Sequence, residues 1–355
     1  MSNNMWHVAL EPGTTRMQDV ILANLSVNDF ELIGLLLSTS HLKGKVFETE
    51  SDCRPAGDHK WCFTCYTIGE RIRDGGGTMM NTKKNRYADA MYGLAIGDAL
   101  GVPYEFKDRG SFECTEMVGY GSHGQPAGTW SDDTSMTIAT AKSLKDCDGT
   151  VNIKNVTDNF LRWSNEEDFN CNGELFDIGI ATSTALDTGK SQTGEFDNGN
   201  GSLMRILPLA FTDCTDDEIR AVSAITHGHE ISMQACVIYV HVARRLLAGE
   251  TIQEIIPTLK FAKPFDRLDK IDQLSVDRIS STGFVVHTLE ASLWVLAKYD
   301  SFKDTVLAAV NLGDDTDTTG AVAGGLAGIV YGLESDFAKE CMAVLRSKEM
   351  IAECL

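Results

Sequence analysis

The chain has 355 residues, of which 43% are hydrophobic and 23% charged, so its composition is that of a folded globular protein rather than a disordered or fibrous one. It carries 31 Lys and Arg against 51 Asp and Glu, a formal net charge of -20. Because an acidic surface repels nucleic acid and anionic membranes, neither is an expected partner.

The targeting and cysteine patterns indicate a cytoplasmic protein. No apolar run approaches the roughly 20 residues that cross a bilayer, and the first residues lack the basic and apolar segments of a secretory signal. The chain has 10 cysteines, and they are irregularly spaced. Such spacing is typical of reduced thiols in a reducing compartment.

The charge distribution divides the chain near Arg86. Residues 1–86 contain 10 basic and 10 acidic residues by count, whereas residues 87–355 contain 21 and 41 and carry the whole excess. The run from Arg71 to Arg86 is polar and contains Gly75-Gly76-Gly77, a composition typical of a linker. We therefore expect an N-terminal extension over residues 1–86 and a separate domain over residues 87–355.

The extension contains one cluster of soft ligands. These residues, Cys53, His59, Cys62 and Cys65, lie close enough in sequence to bind one zinc ion. Reduced thiols without a metal are the alternative, because the spacing is irregular. The sequence of the extension does not define its fold.

The domain after Arg86 has helical periodicity along its length, and alternating runs are scarce. The chain has only 7 prolines. Apolar residues at helical spacing, with a capping pair at Thr215 and Glu218, predict a mostly or wholly α-helical domain. Helices are expected at Thr137 to Leu144, Thr150 to Ser164, from Thr215, Ile231 to Leu247, Thr282 to Tyr299 and Phe302 to Val310.

The first segment of chemical interest is a helix with glycine at every fourth position. Gly93, Gly97 and Gly101 leave one helix face nearly bare, so a neighbouring backbone can approach closely. Glu105 follows this helix, beyond Pro103. An exposed glutamate without a function is the alternative for Glu105.

The second segment places Ser131, Asp132 and Asp133 just before a helix. Three adjacent residues cannot share one helical face, but they can converge in a loop or in a first turn, where free backbone amides favour negative charge. Helix capping by Ser and Asp is the simpler alternative.

The third segment runs from Asp197 to Arg205 and alternates amides with glycine. We expect Gly199 and Gly201 to give this loop access to positive φ, with backbone N–H groups facing a ligand. A surface turn is the alternative, although the apolar run that follows makes an exposed turn less favourable.

The fourth segment, from Asn311 to Gly320, places three carboxylates in four positions ahead of a helix of small residues. An EF-hand loop is excluded because its twelfth position is Leu326. Carboxylates this dense repel one another unless a cation neutralises them. Oxygen ligands favour hard cations such as Mg²⁺ or Mn²⁺ over zinc. Together, the four segments predict a binuclear site for hard cations beside a ligand-binding loop.

These four segments, in this order, resemble the ADP-ribosylglycohydrolase family of the dinitrogenase reductase-activating type, over about residues 87–335. The resemblance implies an all-α orthogonal helical bundle with two Mg²⁺ or Mn²⁺ ions in a cleft. It implies metal ligands at Ser131, Asp132, Asp133, Asp315, Asp317 and Thr318.

The resemblance also implies further roles around the metals. It assigns catalysis to Glu105 and Asp197, without deciding which of them is the base. Asp314 stands where the family has Gly and is expected either to be a spectator or to perturb the site. The implied substrate-binding residues are Asn200, Gly201, Ser202, Met204, Arg205 and His227.

By this resemblance, the chain is expected to be a metal-dependent hydrolase that removes ADP-ribose from a protein side chain, with arginine the favoured target. The expected partner is therefore an ADP-ribosylated protein. A further hypothesis makes the chain an antidote whose residues 1–86 occlude a cognate ADP-ribosyltransferase toxin. The alternatives are a catalytically inactive binding module that acts through the same extension, and a two-metal phosphohydrolase.

Overall fold

The computed structural model describes five short strands within the first 61 residues and the continuous segment of residues 86–355. The chain divides into two compact units, Met1–Thr82 and Lys83–Leu355. The predicted linker before Arg86 lies outside the described residues. So do all four residues of the predicted zinc cluster, Cys53, His59, Cys62 and Cys65.

The described part of the first unit consists of two small antiparallel sheets. In one sheet β1 (Met5–Leu10) lies between β2 (Ile21–Ala23) and β3 (Gly44–Phe47), with His7 opposite both Ile21 and Phe47. In the other sheet β4 (Pro55–Ala56) pairs with β5 (Lys60–Trp61).

The second unit is helical, and the predicted all-α fold is confirmed: residues 86–355 form helices joined by loops, with isolated bridges in place of strands. The α-helices are α1 (86–101), α2 (Asp132–Asp146), α3 (Ile153–Glu166), α4 (Ile180–Thr188), α5 (Asp216–Ala224), α6 (Glu230–Leu247), α7 (Ile252–Ile255), α8 (Val285–Lys298), α9 (Phe302–Val310), α10 (Thr316–Tyr331), α11 (Asp336–Val344) and α12 (Lys348–Ala352). Short 3-10 turns occur at Val102–Tyr104, Gly121–His123, Asn200–Ser202, Leu207–Phe211, Ile256–Thr258, Leu268–Gln273 and Val276–Arg278.

Several helices begin at residues whose side chains cap them. The predicted capping pair is confirmed, since Thr215 and Glu218 form a capping box at α5. The side chain of Asn152 accepts a hydrogen bond from the backbone N–H of Asn155 at the start of α3. Such caps satisfy amide groups that a helix leaves free at its first turn.

The glycine stripe of α1 packs against a matching stripe on α10. A Cβ at Gly97 would lie 2.0 Å from the carbonyl oxygen of Gly320, and one at Gly93 would lie 2.5 Å from that of Gly324. At the end of the stripe, a Cβ at Gly101 would lie 2.3 Å from the Cα of Asp317. The predicted close approach is confirmed, and it sets the end of α1 directly beside the start of α10.

The rest of the core is apolar and surrounds these two helices. α10 also packs against α8 and α9, and the hydroxyl of Tyr239 on α6 donates to the carbonyl of Val322 at 2.9 Å. Among the described residues, no helix combines the length and the apolar composition that crossing a membrane requires.

Candidate metal centre

The first acidic loop lies at the start of α2, where its residues both cap the helix and lie close to one another. Ser131 is the N-cap residue, and Asp132 and Asp133 form the first turn. The Ser131 hydroxyl accepts from the backbone N–H of Asp133 at 3.3 Å and donates to the Asp133 carboxylate at 3.1 Å. All three residues are buried.

Asp98 on α1 holds this loop in place. Its carboxylate accepts hydrogen bonds from the Ser131 backbone N–H at 2.9 Å, from the Thr134 backbone N–H at 3.0 Å and from the Thr134 hydroxyl at 2.6 Å. Asp98 is fully buried. Burial raises its pKa to about 7, although these hydrogen bonds act in the opposite direction.

The second acidic loop precedes α10 and turns sharply through two residues with positive φ. Gly313 has φ 79°, and a Cβ there would lie 2.5 Å from the backbone nitrogen of Arg109. Asp314 has φ 58°, which Asp tolerates better than most residues and Gly adopts freely. Asp314 is exposed, which favours the expectation of a spectator over that of a residue that perturbs the site.

Backbone pairing joins this loop to the segment that carries Glu105. The N–H of Phe106 donates to the carbonyl of Asp314 at 2.7 Å, and the N–H of Asp314 donates to the carbonyl of Lys107 at 2.9 Å. The Arg109 guanidinium donates to the carbonyls of Leu312, Val276 and Ile279, each at 2.7 Å. These bonds fix Glu105 relative to the second acidic loop.

The two acidic loops meet although nearly two hundred residues separate them. The Thr318 hydroxyl donates to the Asp133 carboxylate at 3.4 Å, and the Thr318 backbone N–H donates to Asp317 Oδ1 at 2.9 Å. Within these two loops, three buried carboxylate oxygens have no hydrogen-bond partner: Asp133 Oδ1, Asp315 Oδ1 and Asp317 Oδ2. Buried oxygen atoms without donors are the ligands that a hard cation requires.

Four further ligand atoms gather at the edge of these loops. Glu105, His123, Asp177 and Asp317 each place one ligand atom within 4.8 Å of the others. His123 Nε2 is hydrogen-bonded to the Glu105 carboxylate, and the Ser122 hydroxyl donates to the Glu105 carbonyl at 2.5 Å. Because their ligand atoms converge, these four residues can hold a metal ion.

The electrostatics of the centre are those of crowded, buried acids. Burial, followed by neighbouring carboxylates, raises the pKa of Asp132, Asp133 and Asp317 well above the usual value. Burial also raises the pKa of Glu105, although His123 opposes the shift. The hydrogen bond to Glu105 raises the pKa of His123. A bound cation would favour the ionised form of every carboxylate here.

The loop from Asp197 to Arg205 contacts the second acidic loop. Asn200 donates from Nδ2 to Asp315 Oδ2 and to the Thr288 hydroxyl, both at 2.9 Å. The expectation of positive φ in this loop is wrong, since Gly199 has φ -67° and Gly201 is also outside that region. Glycine is needed here for space, because a Cβ at Gly201 would lie 2.9 Å from His227 Cε1.

Three of the residues implied to bind substrate support the centre from within the core instead. Ser202 and Arg205 are fully buried, and Met204 is nearly so. The Arg205 guanidinium lies 4.4 Å from the Phe160 ring centroid and donates to the Thr226 hydroxyl at 2.8 Å. Burial lowers its pKa to about 10. Because these side chains do not reach the solvent, a direct contact with substrate does not match their positions.

His227 is likewise a buried packing residue. Its Nδ1 lies 2.7 Å from the Thr226 hydroxyl, and the ring fills the space beside Gly201. Burial, followed by the charge of Arg205, lowers its pKa to about 3, so the imidazole is neutral.

Asp197 is bound within its own turn. Its carboxylate accepts from the Gly194 backbone N–H at 2.8 Å, and its backbone N–H donates to the Gly194 carbonyl at 3.0 Å. Asp197 is not a member of the four-residue ligand group, whereas Glu105 is.

Sequence reasoning missed Asp98, His123 and Asp177 as site residues. Asp98 had a detectable signal, because it is the one charged residue between Gly93 and Gly101 of a helix otherwise built from small and apolar residues. His123 lies in a short 3-10 turn and Asp177 in an irregular segment, neither with a periodic or motif signal, so only the folded chain brings them to the centre.

We expect Asp98→Asn to weaken both the fold and the metal site. At pH 8, above the pKa of this carboxyl, Asp98 is ionised and only accepts hydrogen bonds, whereas the amide of Asn turns one N–H donor toward the Ser131 N–H. Leaving buried donors without an acceptor costs about 1–3 kcal/mol of folding free energy. Urea denaturation and a Mn²⁺ titration measure the two effects. Asp89→Asn on the same helix is the control, and equal metal affinity in both variants would contradict the role given to Asp98.

Comparisons with known proteins agree with this geometry. The sequence profile of the ADP-ribosylglycohydrolase family matches residues 79–353. The chain is 34% identical over 265 residues to "ADP-ribosylarginine hydrolase Tri1" of Pseudomonas putida (strain GB-1), covering 70% of this chain and 71% of that protein. It is 29% identical over 260 residues to "ADP-ribosyl-[dinitrogen reductase] glycohydrolase" of Rhodospirillum rubrum, covering 70% and 87%.

A solved structure gives the same result for the fold. The chain described as "ADP-ribosylglycohydrolase-related protein complex" superposes with a TM-score of 0.64 at 31% identity, over 77% of this chain and 97% of its own length. The profile match covers more than half of the sequence and includes both acidic loops. The chain therefore belongs to the ADP-ribosylglycohydrolase family and is a glycohydrolase enzyme, as its motifs predict.

Proposed function

We propose that this enzyme removes ADP-ribose from modified arginine side chains of proteins, with two divalent cations in the cleft. The observation that carries the proposal is the meeting of the two acidic loops, with three buried carboxylate oxygens left without partners. The names of the relatives in Pseudomonas putida and Serratia proteamaculans, the latter 32% identical over 279 residues, support arginine as the modified residue.

The ligand set supports Mg²⁺ or Mn²⁺. The proposed ligands offer carboxylate and hydroxyl oxygens, which hard cations prefer and zinc does not require. They are Ser131, Asp132, Asp133, Asp315, Asp317 and Thr318. Two such cations, when bound, would orient ribose hydroxyls and lower the pKa of a water molecule.

Glu105 is the carboxylate that we propose as the general acid–base catalyst. Cleavage of the glycosidic bond develops positive charge at the anomeric carbon of ribose, which a nearby carboxylate stabilises. Glu105 is 7% exposed, has a raised pKa and is hydrogen-bonded to His123. Its proton is therefore held more tightly than that of an exposed glutamate, which suits a group that gives or takes a proton during cleavage. Asp197 is less favoured, because its carboxylate is bound to Gly194.

The experiment that tests this function is an assay with an ADP-ribosylarginine peptide. Release of ADP-ribose should require Mg²⁺ or Mn²⁺, stop with EDTA and resume when the metal is restored. A chain that binds the peptide but releases no ADP-ribose would instead be an inactive binding module. Turnover of a phosphomonoester but not of the peptide would favour a phosphohydrolase.

The N-terminal extension supports a second part of the proposal. We propose that residues 1–86 bind a protein partner, namely an ADP-ribosyltransferase toxin that the chain counteracts. The family match starts at residue 79 and the second compact unit at Lys83, which supports a boundary between the extension and the catalytic domain. The cytoplasm is the proposed compartment, since the cysteines of residues 86–355 are all free thiols.

We expect removal of the extension to spare catalysis and to weaken the complex with the transferase. The truncated chain should begin at Lys83, because Arg86 belongs to α1 and donates to the Leu247 carbonyl at 3.0 Å. Its kcat/KM for the peptide should stay within about threefold of the full chain, within the small range expected when no interaction of the site is lost. Calorimetry with the transferase measures the binding.

Two results would contradict the separate roles proposed for the extension and the catalytic domain. An insoluble or inactive truncated chain would mean that the extension is part of the catalytic fold. Unchanged affinity for the transferase would remove the basis for the antidote role while leaving the hydrolase proposal in place.

A further inference from the structure

An exposed aromatic side chain stands directly beside Glu105. Phe106 is 74% exposed, and its backbone has φ 65°, a conformation that bulky residues rarely adopt. The hydrogen bond from its N–H to the Asp314 carbonyl holds this conformation. Because strained residues persist where the surrounding structure enforces them and cluster at functional sites, the outward ring of Phe106 calls for a functional explanation.

The ring of Phe106 is one of three neighbouring aromatic rings beside the centre. Its centroid lies 5.9 Å from that of the His123 imidazole, and the His123 centroid lies 5.4 Å from that of Phe176. We call Phe106, His123 and Phe176 the aromatic strip. Phe176 adjoins Asp177 in sequence, and His123 bonds to Glu105. The strip therefore lies beside these carboxylates, with Phe106 as its exposed member.

The charge beside the strip is negative. The ligand atoms of Glu105, Asp177 and Asp317 lie within 4.8 Å of one another, so three carboxylates are close together. The nearest cations along the chain are engaged elsewhere: Lys107 lies over the Tyr104 ring at 5.1 Å, and Arg109 donates to three backbone carbonyls. Carboxylates here that no metal ion neutralises would attract a cation.

Aromatic faces combined with carboxylates are the surroundings that a planar cation prefers. A guanidinium group stacks on rings and pairs with carboxylates, and it is more weakly hydrated than an ammonium. We infer that the aromatic strip is the subsite for the guanidinium group of the modified arginine, with Phe106 as its outer stacking face. This inference rests on the proposed function, because that function supplies the arginine.

The test compares a ligand that carries the guanidinium with one that lacks it. The variants are Phe106→Leu, which keeps bulk without a π face, Phe106→Tyr, which keeps the face, and Phe261→Leu as a control at a second exposed phenylalanine (38% exposed). For the metal-loaded full chain, KM and kcat are measured with the ADP-ribosylarginine peptide, and the inhibition constant with ADP-ribose.

We expect Phe106→Leu to raise KM for the peptide about threefold to tenfold, the range of one cation–π contact, with kcat nearly unchanged. The inhibition constant of ADP-ribose should not change, since ADP-ribose has no guanidinium. Phe106→Tyr and Phe261→Leu should behave like the parent chain. An unchanged KM in Phe106→Leu would overturn the inference, and so would a parallel rise for ADP-ribose, which would place the ring against another part of the ligand.

A result that contradicts the proposed function can be distinguished from one that contradicts the guanidinium subsite. If the parent chain releases no ADP-ribose with either metal, the hydrolase proposal fails. Dissociation constants from calorimetry then still decide the role of the strip. Weaker binding of the peptide to Phe106→Leu, with ADP-ribose unaffected, supports the subsite; equal binding of the peptide to both chains overturns it.

Discussion

Asp315→Asn should lower the rate of ADP-ribose release by more than about a hundredfold, because even residues that only orient metal ligands cost 10- to 100-fold when removed. The amide is isosteric and can still accept from Asn200, which donates to Asp315 Oδ2 at 2.9 Å. The fold should therefore persist. Steady-state rates at saturating Mn²⁺, with circular dichroism as a check on folding, measure the effect.

The neighbouring residue provides a matched control. Asp314→Asn removes a carboxylate from the same loop, but this side chain is exposed and its φ of 58° suits Asn. Its activity should stay near that of the parent chain. If Asp315→Asn also turned over at nearly the parental rate, the metal role given to the second acidic loop would be wrong.

Metal should stabilise the folded chain strongly, and more so at higher pH. At a hundredfold excess over the dissociation constant, binding to the native state alone adds about 2.7 kcal/mol to the free energy of unfolding. For a domain of this size that corresponds to a rise of about 5–10 °C in Tm. Thermal unfolding with EDTA or with millimolar Mg²⁺ or Mn²⁺, from pH 5 to pH 8, measures both effects.

The sign of the pH effect follows from the raised pKa values of the metal-free centre. Asp132, Asp133 and Asp317 bind protons more tightly when folded than when unfolded, and the pKa of Asp98 reaches about 7. The stability that these groups contribute to the metal-free fold is therefore fully present below the unfolded value near pH 4 and is lost as pH rises through the folded values. Each such proton contributes a slope of about 1.4 kcal/mol per pH unit.

A bound cation should remove most of this slope, because it favours the ionised carboxylates. The difference in Tm between metal-loaded and metal-free chains should then widen from pH 5 to pH 8. A Tm that does not respond to either metal, or a gap that narrows with increasing pH, would contradict a cation site among these acids.

The helical fold could be predicted from the sequence because helix capping and helix spacing depend on residues that are near one another in the chain. Thr215 and Glu218 form their capping box within one turn, and Gly93 and Gly97 leave a bare face wherever the helix packs. The acidic loops were detectable for a related reason. Carboxylates at 315 and 317, beside Thr318, repel one another in any fold, so their presence requires a compensating charge.

The loop around Asn200 shows where the same reasoning failed. Alternating glycine is compatible with positive φ or with close packing, and only the position of the His227 ring decides for packing. Arg205 is similar: a sequence cannot distinguish a cation that faces a phosphate from one buried over Phe160.

What the sequence determined by itself is the all-α fold, the family and the two acidic loops, since each depends on residues within a few positions of one another. The tertiary structure alone decided which distant residues join them. His123 lies in a short 3-10 turn and Asp177 in an irregular segment, yet both reach Glu105 and Asp317, and Asp98 on α1 contacts Ser131 at the start of α2. Such contacts depend on how distant segments pack in the folded chain, which local spacing in the sequence does not determine.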